Sequence, residues 1–94
     1  MRKPSIIQSE VCSYFNSDNT THLVLHHCLN GVAFRHKCDE DGLYVYLSPE
    51  MHRYIHETAE GHAVLIHLKR VAQQAYERNH TRAEFISRYG KSYL

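Results

Sequence analysis

Ser48-Pro49-Glu50 divides the chain and is its clearest structural instruction. A serine N-cap, a proline at the first helical position and an acid in the first turn together specify a helix start. Upstream, short apolar and β-branched runs alternate with turn signals; downstream, apolar residues recur at helical spacing. Strands followed by helices point to an α+β domain, whereas alternating strands and helices would point to a parallel βαβ fold. A chain of 94 residues supports one domain, 1–94, with little surplus stability. Residues 1–20 are weakly patterned, 21–47 read as a β-meander and 48–94 as the helical part.

The meander is read from its turns. Residues 21–29 are rich in apolar and β-branched side chains, and Asn30-Gly31, the strongest short hairpin signal, follows them. Residues 32–38 then form the return strand, Asp39-Glu40-Asp41-Gly42 a second turn, and residues 43–47 a third antiparallel strand. A tight turn at Asn30-Gly31 fixes the register, and the register fixes the faces. Leu23, Leu25, His27, Leu29, Val32, Phe34, His36 and Cys38 fall on the core side with Leu43, Val45 and Leu47. His22, Val24, His26, Arg35, Lys37, Tyr44 and Tyr46 fall on the outer side, and Cys28 points away from the core with them.

Two or three C-terminal helices are expected to cover the core side. The first carries Met51, Tyr54, Ile55 and Thr58 at helical spacing and is expected to break near Gly61. The second, 62–78, has one broad stripe of Val64, Leu65, Leu68, Val71, Ala72, Ala75 and Tyr76. Thr81-Arg82-Ala83-Glu84 is a capping box for a last helix, with Phe85, Ile86 and Tyr89 on one side and Gly90 as its stop.

Composition narrows the functional classes. The formal charge of +1 gives no support to a highly basic DNA binder or an acidic nucleic-acid mimic. The positively charged start loses its apolar character after Ile6-Ile7, so no signal peptide is read, and no apolar run approaches a membrane span. Cys12, Cys28 and Cys38 form no CxxC pair, and a reduced, cytoplasmic protein is expected. No catalytic motif is assembled, so no enzyme and no cofactor are expected.

Nine histidines are the unusual entry in the composition. His52 and His56, spaced i,i+4 with Glu60 continuing the line, are the candidate metal pair. The upstream His26-His27-Cys28 and His36-Lys37-Cys38 do not combine with them, because the deduced faces scatter these groups. A solvated histidine pair is the plainer reading, and no metal is assigned. A pH sensor would need a bistable element as well, which the sequence does not show.

The preferred role is a small interaction protein that binds and regulates or inhibits a macromolecular partner, of the size class of viral or mobile-element accessory proteins. Arg35, Lys37, Tyr44 and Tyr46 on the outer sheet face are its candidate partner-binding residues, since Arg and Tyr dominate binding hot spots. Self-association into a homodimer is the simplest version. The alternative is a nucleic-acid module. Lys69, Arg70, Arg78, Arg82, Arg88 and Lys91 oppose only Glu77 and Glu84 in the C-terminal stretch, a local excess of four charges. An acidic middle containing Asp39, Glu40, Asp41, Glu50, Glu57 and Glu60 balances it.

Overall fold

A computed structural model describes residues 2–94. The order is β1 (Val24–His27), α1 (Val32–Asp41), β2 (Tyr44–Leu47), α2 (Pro49–Glu57), α3 (Ala59–Tyr76) and α4 (Arg82–Tyr89). This is an α+β domain with a two-stranded antiparallel sheet and a mostly helical C-terminal half. Among the described residues no helix is long and apolar enough to cross a membrane.

The expected middle strand is a helix. Residues 32–41 contain one β-branched side chain, Val32, while Ala33, Arg35, Lys37 and Glu40 are good helix formers. Gly31 takes φ 119° and ψ 144° and serves as N-cap, a geometry outside the type I′ turn that a hairpin requires. Gly42 closes the helix in the left-handed region at φ 71°, donating its N–H to the Cys38 carbonyl. Cys38 is the fully buried residue of this helix and Phe34, one turn earlier, packs on the core, whereas Val32 is 82% exposed. Ladder bonding gives way here to a local helix that buries only one narrow stripe.

Losing the hairpin moves the register. β1 pairs directly with β2, with Val24 opposite Leu47, Leu25 opposite Tyr46, His26 opposite Val45 and His27 opposite Tyr44. Directly opposed residues share a face, so His26 and Val24 lie with Val45 and Leu47, and Leu25 and His27 lie with the tyrosines. Each assignment made for β1 is therefore inverted, the consequence of a one-residue slip. Cys28 is also corrected: it is fully buried in the core.

The opposite side of the sheet is covered by residues 2–16, the stretch without a clear pattern. Lys3 N–H donates to the Asp39 carbonyl at 2.8 Å, Ile6 N–H to Gly42 at 2.9 Å and Tyr14 N–H to Tyr46 at 2.8 Å. Backbone bonds of this kind need no side-chain period, which is why the segment has no signature in the sequence.

The helical half follows its local signals closely. Ser48 Oγ accepts from Met51 N–H at 3.1 Å and Pro49 begins α2. The break falls at Thr58, which ends α2 and caps α3, while Gly61 lies inside α3. Leu65, Leu68, Ala72, Ala75 and Tyr76 are buried as the stripe requires. The capping box of α4 is present in both directions, with Glu84 N–H on Thr81 Oγ1 at 3.1 Å and Thr81 N–H on Glu84 Oε1 at 2.7 Å. Phe85 and Tyr89 are buried, but Ile86 is exposed.

The tail returns to the core through Gln73. Its buried side chain accepts from Tyr93 N–H at 2.7 Å and donates to Ser92 Oγ at 2.9 Å.

Candidate metal centre

α2 places His52 and His56 one turn apart, and their ring centroids lie 4.6 Å from each other. The core-facing side of β1 brings His26 against them, with centroid distances of 5.9 Å to His52 and 5.6 Å to His56. One nitrogen from each of the three rings lies within 4.8 Å of the other two. Tetrahedral zinc with bonds of 2.0–2.1 Å sets its nitrogen ligands about 3.3 Å apart, so the three nitrogens would have to draw together from within 4.8 Å to share one ion.

Burial falls off across the group: His26 is buried, His52 half-buried and His56 exposed. His26 is 2% exposed, and among the described residues its Nε2 has no hydrogen-bond partner. Burial, with the neighbouring His56 and His52 rings adding to it, pushes the His26 pKa down to about 3. Burial first and His56 second lower His52 as well. A neutral imidazole with a free lone pair is the form that binds a metal. An unsatisfied buried nitrogen costs free energy of order 1–3 kcal/mol unless something occupies its lone pair.

The rings form part of a cleft of about 440 Å³, which Val24, Leu25, His27, Asn30, Gly31 and Arg35 also line. His27 turns the other way and pairs its Nε2 with Asp39 at 2.9 Å. Glu60 does not continue the ligand line as its spacing suggested, because the break at Thr58 puts it on α3, where it is exposed. The pair was visible as an i,i+4 spacing. Its third member, His26, has no such signature, because the Asn30-Gly31 turn that would set its face does not form.

The four partner-binding candidates do not make one surface. Tyr44 is 4% exposed, with its hydroxyl donating to the Lys3 carbonyl at 2.6 Å. Tyr46 lies partly covered beside it, its N–H on Gln8 Oε1 at 3.0 Å. Arg35 and Lys37 belong to α1 instead of the sheet, and Lys37 Nζ donates to the Arg88 carbonyl at 2.9 Å.

The basic C-terminal residues are largely engaged internally. Arg88 donates to Asp41 at 2.6 Å and Glu40 at 2.7 Å, and Tyr89 Oη donates to Asp41 at 2.6 Å. Burial opposes the Arg88 charge, but the hydrogen bonds to Asp41 and Glu40 outweigh it and raise the pKa. Arg82 pairs with Glu77 at 3.2 Å, and Arg78 donates to the Ile6 carbonyl at 2.5 Å. Lys69 and Lys91 both lie over the Tyr93 ring, at 5.2 Å and 5.1 Å, while Arg70 is exposed. The acidic middle and basic end thus meet at the Arg88 cluster.

No protein-family model matches the chain, no curated protein matches it in sequence and no solved structure matches it.

Proposed function

We propose that this protein is a metal-binding domain whose working form holds one divalent transition ion, zinc by preference, on His26, His52 and His56. The observation that carries the proposal is the buried His26: one of its ring nitrogens lies within 4.8 Å of a nitrogen from each of two further imidazoles, and its Nε2 has no hydrogen-bond partner among the described residues. Surface histidine pairs are common. A third imidazole brought from another element into a buried position is the arrangement of a binding site. All-nitrogen ligation suits zinc, copper or nickel and disfavours calcium and magnesium, which take oxygen.

Zinc titration of the chain by calorimetry and native mass spectrometry tests this. One equivalent is expected, with affinity lowered roughly a hundredfold or more in His52→Ala or His56→Ala. Both variants change side chains that are not fully buried, so the fold survives them. Absence of stoichiometric binding, or wild-type affinity in both variants, overturns the proposal. The interaction role expected from composition stays a proposal beside this one. Capture of one protein from the native host by the wild type and not by His52→Ala, with zinc present, would join the two.

A further inference from the structure

We infer that the histidine centre keeps one coordination position open to the cleft and accepts a small oxyanion there, held against the Arg35 guanidinium. This rests on the zinc reading above and adds the class of ligand. Three donors converge, and no described carboxylate or thiolate belongs to the group. His27, the fourth imidazole on the cleft wall, has its Nε2 on Asp39 at 2.9 Å. Cys28, the next sulfur along the chain, is fully buried in the core. Three protein ligands with a fourth place left to water or ligand is the pattern of zinc sites that exchange their bound molecule.

Charge selects what enters. Three neutral imidazoles leave the ion's two positive charges uncompensated, and no carboxylate of the described residues lines the cleft. Arg35 adds a positive charge to the same cleft and, among the described residues, has no salt-bridge partner. Its planar fork matches two oxygens of a phosphate or carboxylate, while the metal takes a third oxygen or shares one. Phosphate and carboxylate groups share this chemistry, and separate titrations distinguish them.

The test uses the full chain loaded with cobalt(II), whose visible spectrum reports its coordination sphere. Titration with inorganic phosphate and, separately, acetate is expected to shift the cobalt bands saturably. Arg35→Met is expected to weaken the phosphate response about tenfold, which corresponds to the loss of one charge-assisted contact. A cobalt spectrum indifferent to both anions overturns the inference while leaving the metal site intact, since the fourth position is then closed. Equal phosphate affinity in Arg35→Met overturns the assigned role of the arginine. Failure of the chain to bind cobalt at all refutes the metal reading itself, and this inference with it.

Discussion

Gly61→Ala is expected to destabilise the protein, although helix propensity alone favours alanine at a helical position by about 1 kcal/mol. Gly61 is the third residue of α3, and its N–H donates to Thr58 Oγ1 at 2.8 Å. An added Cβ would lie 2.7 Å from Ile55 Cα and 2.5 Å from the Tyr54 carbonyl carbon, with the Tyr54 carbonyl oxygen closer still. These are backbone atoms of α2 and cannot rotate aside, so the two helices must separate. Overpacking costs about 1–3 kcal/mol in general, and rigid neighbours place this case at the upper end. The Tyr54 carbonyl also accepts from Thr58 N–H at 3.2 Å and Thr58 Oγ1 at 2.7 Å. Disturbing these adds about 1 kcal/mol for each bond lost. With one of the two bonds lost and the propensity gain subtracted, the net loss is about 3 kcal/mol. For a domain of this size that lowers Tm by about 12–24 °C. Thermal and urea unfolding followed by circular dichroism measure it, and zinc titration should show weaker binding because α2 carries His52 and His56. A Tm equal to or above that of the wild type would refute the reasoning, since the helix junction would then be free to relax.

Thr81→Ala removes one arm of the capping box and should cost about 1 kcal/mol in urea unfolding; no loss would mean that α4 does not depend on its cap. Arg88→Ala detaches α4 from Asp41 and Glu40, and with the pair partly exposed a loss of about 1–2 kcal/mol is expected; an unchanged urea midpoint would show the cluster to be neutral. Burial raises the Asp39 carboxyl, but hydrogen bonds from Arg2 and His27 outweigh it and hold the pKa below the usual range. A depressed carboxylate stabilises the fold above its unfolded pKa, and that contribution is lost as pH falls through the lower folded value. Wild-type stability should therefore fall as pH drops below the ordinary carboxylate value of about 4 towards the lower folded one, and Asp39→Asn should flatten this acid limb; superimposable limbs would count against the pairing. Burial pushes the Cys38 thiol up to about 11 and raises Cys28 further, so labelling of both by a thiol reagent should await unfolding, and fast labelling of either in the native state would contradict the core.

The starts of α2 and α4 and the buried stripe of α3 were legible because each is written within a few neighbouring residues. Ser48 with Pro49, and Thr81 with Glu84, satisfy orphan helix N–H groups across a single turn. Asn30-Gly31 is equally local and misled, because a turn propensity near 30–31 competes with a helix that buries Cys38 and anchors Arg88 from 47 residues away. The propensity of Gly61 points to a break, whereas in the fold it lies inside α3 and lets two helix backbones approach. Likewise, the charge asymmetry along the chain was real in sequence but is reconciled in space by Arg88 with Glu40 and Asp41.

The sequence by itself determined an α+β domain, the identity of the helical half, the caps of α2 and α4 and the His52–His56 pair. Only the tertiary structure decided which face of β1 is buried, and hence that His26 lies against His52 and His56. The physical reason lies in the range of the forces. Capping and helical periodicity act over about one turn, and a chain carries their pattern in neighbouring letters. The face of a strand depends on register with a partner, and β2 is separated from β1 by the whole of α1.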